Sequence, residues 1–316
     1  MAIEPADTFS TFDAVGNRED LSDAIYDISP VECPIMSSIG RSKATAVLHE
    51  WQTDALAAAS TSNAVKEGAD ATTDAVTATV RLSNTCQIMD KVSRVTGTQQ
   101  VVSKAGRKNE LSYQVAKNGK ELKRDMEATI CALQAEAAGD VSTARTLGAL
   151  PSWVITNTDI GTGAAANGTG LGNTARTDGT QRAFTEAQVK AVLASAWNSG
   201  GEPDTIYVGS FNKQKFSTFT GNATRFKTAE DSKLNASIDL YDSDFGELEV
   251  IPNRFMRSRD CWILQNDMWA LAYLRSFTTN KLAKTGDSER SQLLVEFTLE
   301  SRNEAASGIV ADLTTS

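Results

Sequence analysis

The sequence predicts an α+β chain in which a long amphipathic helix lies across a sheet and a compact α/β unit is attached to that layer. Three observations carry this reading. Residues 109–138 hold the strongest helical periodicity in the chain, residues 46–56 and 76–96 are two strand-like limbs around a polar centre, and strands alternate with helices between Phe184 and Phe255.

A length of 316 residues suggests roughly two structural units. With 41% apolar and 22% charged residues, the chain can build a core while exposing much surface. No apolar run approaches the length of a membrane span, and the first residues, MAIEPADTFSTFD, lack the basic and apolar regions of a signal peptide. Forty acidic against 31 basic side chains give a formal charge of −9, which argues against bulk electrostatic binding of nucleic acid. His49 is the only histidine, so a two-histidine metal site is impossible and a Ser-His-Asp triad has one possible base. Beside Trp51 it reads as structural. Cys33, Cys86, Cys131 and Cys261 are widely spaced, as expected of buried, reduced thiols.

Residues 1–45 read as an arm. Asn17 can cap a short helix whose stripe is Leu21, Ala24, Ile25 and Ile28, Pro30 stops it, and the following SPVECPIMSSIG should be extended. Such a stripe has no core of its own to enter, and must be covered by the parent domain or by a neighbouring subunit. The two strand-like limbs, with AAASTSNAVKEGADATTDA between them, predict a long β-hairpin that is either disordered or an arm reaching across another chain. In the helix, Leu111, Val115, Leu122, Met126, Ile130 and Leu133 mark a narrow apolar stripe, and thirty residues would span about 45 Å.

Residues 139–183 are rich in Gly, Thr, Ala and Asn, and predict a loop region with one strand at LPSWVI. The compact unit follows: a helix opened by a capping box at Thr185 and Gln188 and stopped at Gly200 and Gly201, the strand TIYVG, a helix from Ser210, and a hairpin over SIDLYDSDFGELEVIPNRF. The apolar runs from Cys261 to the C-terminus predict a sheet under the long helix.

No group of residues forms a convincing catalytic constellation. Gly161-Thr162-Gly163-Ala164-Ala165-Ala166 fits the letters of a dinucleotide fingerprint, but the residues after it have no helical periodicity. Ser210-x-x-Lys213, Ser243-Asp244 and Lys284-Thr285-Gly286 mimic the elements of penicillin-recognising enzymes, with Phe245 where Asn is expected. Asp242-Ser243-Asp244 could bridge a divalent cation, yet these are the residues a hairpin turn prefers.

The order of arm, long hairpin, spine helix, compact α/β unit and returning sheet resembles the Hong Kong 97-type major capsid protein of tailed bacteriophages. Short stretches from end to end resemble a capsid family of that architecture: Ala14-Val15-Gly16-Asn17-Arg18-Glu19-Asp20-Leu21, Glu50-Trp51-Gln52-Thr53-Asp54, Glu67-Gly68-Ala69-Asp70, Tyr241-Asp242-Ser243-Asp244-Phe245-Gly246, Asn253-Arg254-Phe255-Met256 and Ala283-Lys284-Thr285-Gly286-Asp287.

The resemblance implies an N-terminal arm at 1–45, an extended loop at 46–97, a peripheral domain from 98–140 and 262–316, and an axial domain at 141–261. It implies self-assembly into hexamers and pentamers of an icosahedral phage head, formed in the host cytoplasm around double-stranded DNA that is not bound sequence-specifically. Scaffolding, portal and decoration proteins are the implied partners, with no membrane. Leu21, Ile25, Trp51, Lys66, Glu67, Gly68 and Asp70 are the candidate subunit-contact residues, and no residue is assigned to catalysis, a cofactor or a metal. Two other readings are an encapsulin-like compartment of the same fold and a serine acyl-transfer enzyme using Ser210 and Lys213.

Overall fold

The computed structural model describes residues 30–71, 76–163, 168–219 and 239–316. The predicted arm helix, with Leu21 and Ile25, lies outside the described residues.

The first described element corrects an expectation. Pro34–Ser38 is a short helix, α1, and not extended chain. Pro34 presets the first helical φ, and the amides of Ile35 and Met36, which lack intrahelical acceptors at a helix start, donate to the Glu127 carboxylate at 2.9 Å each. Ile35, Met36 and Ile39 are buried, so the chain is committed to the core from this point. Gly40–Lys43, β1, then pairs in parallel with β10, Trp269–Leu282.

The hairpin is shorter than its two limbs suggested. Leu48–Thr53 (β2) pairs antiparallel with Val80–Thr85 (β3), from Leu48 opposite Thr85 to Thr53 opposite Val80. Beyond Cys86 the second limb changes partner: Gln87–Thr96 (β4) pairs along its whole length with Ser288–Ser301 (β11). Together β1, β10, β11 and β4 form a four-stranded sheet in that order. After the short helix α2 (Gly97–Val101), the spine helix α3 runs Glu110–Ile130 and packs on β4 and β11. Asn109 caps it by accepting from the Ser112 amide at 2.9 Å.

Twenty-one residues give about 31 Å of helix, not 45 Å. Residues beyond Cys131 leave the helix because other groups take their backbone: Ala149 donates to the Gln134 carbonyl, and Ala137 exchanges hydrogen bonds with Thr146. Leu122, Met126 and Ile130 are fully buried as the stripe requires, whereas Leu111 and Val115 are half-buried.

The C-terminal runs divide between two sheets rather than forming one. β10 and β11 remain under α3, while Cys261–Leu264 (β9) and Gly308–Val310 (β12) enter a six-stranded mixed sheet. Its order is Asn157–Asp159 (β5), β12, β9, Thr205–Val208 (β6), Gly246–Pro252 (β8) and Leu240–Ser243 (β7). The segment LPSWVI, expected as a strand, opens as the helix α4, Leu150–Trp153, with Pro151 in its first turn and Trp153 fully buried.

Helix α5 (Glu186–Asn198) lays Val189, Val192, Leu193 and Ala196 on the six-stranded sheet. Its predicted start and stop are present: the Thr185 amide donates to Gln188 Oε1 at 2.9 Å, and Gly200 takes a φ of +82°. Helix α6, Ser210–Phe216, follows β6. One apolar cluster runs from Leu122, Met126 and Ile130 through Val295, Phe297 and Leu299 to Trp153, Trp262 and Trp269, so residues of both sheets share a core.

Candidate assembly surfaces

The β2–β3 pair is short and two-stranded, and needs an external anchor to hold a direction. Asn84, fully buried on β3, provides one. Its Nδ2 donates to the carbonyls of Gly148 at 3.0 Å and Leu299 at 2.7 Å, and its Oδ1 accepts from the Gly148 amide at 2.8 Å. Trp51 provides the other: its Nε1 donates to the Ser301 carbonyl at 2.7 Å, and its ring lies 5.5 Å from that of Trp153. This candidate contact residue is half-buried and engaged within its own subunit. His49 sits 5.6 Å from the Trp51 ring and 3.2 Å from Glu300 Oε2, in the structural role its position suggested. Burial pushes the Glu300 carboxyl up, but hydrogen bonds from Ser42, Arg302 and His49 outweigh it and hold the group below its ordinary range.

Past this clamp the chain has no cover. Every described residue of 54–79 is exposed, including Leu56 at 100%, Val65 at 80% and Val76 at 97%. These apolar side chains stand open on described chain that forms neither helix nor strand. Among its described residues, a hydrogen-bonded turn lies at the predicted contact stretch. The Ala69 amide donates to the Lys66 carbonyl at 3.1 Å across Glu67 and Gly68, and Gly68 has φ +79°, which the third position of such a turn requires. Lys66, Glu67, Gly68 and Asp70 are all exposed.

Two buried polar assemblies escaped the sequence reading. Glu127 sits within the apolar stripe of α3, fully buried, where it accepts from Ile35, from Met36 and from Asn253 Nδ2 at 2.7 Å. Burial raises its carboxyl above the ordinary range, and the three donors oppose that only in part. It ties the chain leaving the arm, the spine helix and the end of β8 to one point.

The second assembly joins three arginines to three aspartates. Arg176 Nη2 meets Asp260 at 2.6 Å, Arg257 bridges Asp260 at 3.0 Å and Asp178 at 2.6 Å, and Arg259 joins Asp312 at 2.8 Å. Asp312 also accepts from the amides of Gly161 and Gly179, and has φ +60°. These contacts give the glycine-rich 168–183 a fixed course that its composition concealed. Arg257-Ser258-Arg259-Asp260 was the available signal, a dense charge group directly before the buried strand β9.

The motif look-alikes fall on a closely packed glycine, a helix start and two turns. A Cβ at Gly161 would lie 2.3 Å from the Thr180 carbonyl, so that glycine packs closely against protein. Ala164, Ala165 and Ala166 lie outside the described residues. Ser210 is exposed at the start of α6, while Lys213 Nζ donates to the Val250 carbonyl at 2.6 Å and to Asp239 at 3.1 Å. Asp244 and Phe245 are the two loop residues of the β7–β8 hairpin, and Lys284-Thr285-Gly286 turns between β10 and β11. Among the described residues no group of three His, Cys, Asp or Glu side chains could hold a metal ion, and no helix is long and apolar enough to cross a membrane. All four cysteines are buried free thiols, those of Cys33 and Cys86 pushed up to about 11 chiefly by burial.

Comparison with known proteins gives this architecture its context. The major capsid protein of Escherichia phage Phieco32 is 28% identical over 96% of both chains. Among solved structures, the fold is shared with Microbacterium phage Oxtober96 (TM-score 0.65, 10% identity, 96% of this chain and 98% of that one). It is shared as well with the cyanophage A-1(L) capsid asymmetric unit (0.63, 13%, 97% and 99%) and with the capsid of a native GTA particle (0.65, 12%, 96% and 98%). These are Hong Kong 97-like capsid folds. The family model described as SU10 major capsid protein matches residues 6–314, and the chain therefore belongs to that family of phage major capsid proteins.

Proposed function

We propose that this chain assembles into hexamers and pentamers that close an icosahedral head around double-stranded DNA, in the host cytoplasm, and that it carries out no catalysis. The loop over 54–79 and the part of the arm that precedes Pro34 lap onto neighbouring subunits, with Leu21, Ile25, Lys66, Glu67, Gly68 and Asp70 as the contacting residues; residues 34–45, expected in the arm, belong to the subunit's own core and sheet. Trp51 serves the same contact indirectly, by fixing the root of the loop. Scaffolding, portal and decoration proteins are further partners. The observation that carries this reading is the clamped hairpin root followed by a loop whose described residues are all exposed, Leu56, Val65 and Val76 among them. A chain that spends buried hydrogen bonds on directing an uncovered segment outward is built to meet another copy.

Deleting Ala58 to Thr77 tests it. The shortened chain should remain soluble and folded, because the anchors at Trp51 and Asn84 are untouched, and should form no shells under electron microscopy. Normal shells from the deletion would refute the lapping role, and full-length particles without nucleic acid after infection would refute the DNA-enclosing one.

A further inference from the structure

Strand β4 is one edge of the four-stranded sheet, with β11 on one side and no described strand on the other. In antiparallel pairing alternate residues bond the partner strand, and the residues between them turn their backbone groups away. The Gly97 amide, just past β4, donates toward β11, to the Asp287 carbonyl at 3.3 Å. The Cys86 amide, just before β4, donates the other way, to the Val47 carbonyl at 2.7 Å. The register with β11 is unbroken between them, so the N–H and C=O groups of Ile88, Asp90, Val92 and Arg94 point to the open side. Among the described residues no backbone group meets them there, and all four side chains are exposed. Edge strands are ordinarily blunted by shortness, a proline or a bulge. β4 has ten residues, no proline and no bulge against β11. Helix α3 does not close the edge either, because a cleft of about 440 Å³ is lined by Val92 to Thr96 together with Glu110, Gln114 and Asn118 of α3.

We infer that β4 pairs antiparallel with β4 of a second copy about a twofold axis at Val92, joining the two sheets into one. The inference rests on the self-association proposed above and adds the edge that carries one of its contacts. What selects a second copy is that the strand is complementary to itself. With Val92 opposite Val92, the outward backbone groups of the two strands face one another, each Asp90 stands opposite an Arg94, and each Ile88 stands opposite a Thr96. Opposite charges thus flank an apolar centre on the exposed face, the arrangement that favours cross-strand pairs. Registers centred on Asp90 or on Arg94 would instead set like charges together. Both charged side chains are held on this face by β11: Asp90 Oδ2 accepts from Gln292 at 2.6 Å, and Arg94 Nε donates to Ser288 Oγ at 3.0 Å. Main-chain hydrogen bonds supply the attraction, and the charge order fixes the register.

The test uses the full-length chain, whose four native cysteines are buried. In assembled shells treated with oxidised glutathione, Val92→Cys should give disulfide-linked dimers, because residues directly opposite lie about 5.5 Å apart at Cα, within disulfide reach. Ile88→Cys, on the same exposed face, should give none, since its two copies would stand about 27 Å apart. In the Val92→Cys background, Asp90→Arg or Arg94→Asp alone should lower the dimer yield about tenfold, and the two together should restore it. Within one subunit these residues are about 13 Å apart along the strand, so a purely intrachain role predicts no such rescue. Shells that lack the Val92→Cys dimer, equal yields from both cysteine variants, or failure of the charge exchange to restore the dimer would overturn the inference. So would linkage between the two positions of an Ala58→Cys/Val92→Cys variant in place of the Val92→Cys dimer, because a neighbour's loop would then occupy the edge. Dimers linked through Val92→Cys in a protein that never builds shells would support this contact and count against the proposed function.

Discussion

Replacing Glu127 should show how far one buried carboxylate holds the arm exit, the spine and the compact unit together. Glu127→Ala strands three donors in a fully buried position: the amides of Ile35 and Met36 and the Asn253 side chain. Each unsatisfied buried donor costs about 1–3 kcal/mol, and removal of a charge that burial already disfavours returns part of this. A net loss of about 3–5 kcal/mol follows. Glu127→Gln keeps one oxygen for Ile35 and Asn253 but turns an amide donor toward the Met36 N–H, for a loss of about 1–2 kcal/mol. Denaturant unfolding of the full-length subunit gives the magnitudes, and hydrogen exchange at Ile35 and Met36 gives the location. The pH dependence has a definite sign. The folded carboxyl titrates above its ordinary 4.5, so the folded state binds the extra proton and the stability of the unaltered protein falls as pH rises from 4.5 through the raised value. Its advantage over Glu127→Gln should therefore narrow over that interval. A loss below about 1 kcal/mol for Glu127→Ala, with unchanged exchange at Ile35 and Met36, would refute the clasp.

Asn84→Ala removes three buried hydrogen bonds at the hairpin root, and should cost about 2–4 kcal/mol while raising protease sensitivity within 46–86. Unfolding curves and mapped cleavage sites check both, and unchanged cleavage would show that Trp51 anchors the root alone. Glu300 titrates below its ordinary 4.5 in the folded chain, so its contribution is present above 4.5 and is lost as pH falls through the lowered value. Glu300→Gln should flatten the loss of thermal stability on acidification in that range, and an unaltered slope would assign the acid sensitivity to other carboxylates.

Local rules reached the elements whose pattern is contained within the element itself. The stripe Leu122, Met126 and Ile130 named the buried face of the spine, the Thr185–Gln188 box and Gly200 bounded α5, and the run Asp242-Ser243-Asp244 marked a hairpin whose turn falls on Asp244 and Phe245, with Asp242 and Ser243 still in β7. The contrast between the apolar limbs and an Ala, Thr and Ser centre identified a segment with no core of its own. Family likeness was legible as well, in short words spread along the chain.

What remained hidden depended on partners distant in sequence. Strand β4 leaves the hairpin because β11, some two hundred residues later, offers it a full edge, while Cys261 and Val310 join β6 and β5 rather than the sheet under the spine. Pro34 begins a helix because Glu127 supplies acceptors from 91 and 92 residues away. Residues past Cys131 forgo helical bonds for Thr146 and Ala149, shortening a helix whose periodicity runs on. Periodicity reports which face of an element is apolar, and caps report where it can begin. Which edge a strand joins, and which buried polar atom receives a loop's amides, are settled only when the tertiary structure sets long-range hydrogen bonds against local ones, because a buried donor must be satisfied by whatever the folded chain brings within reach.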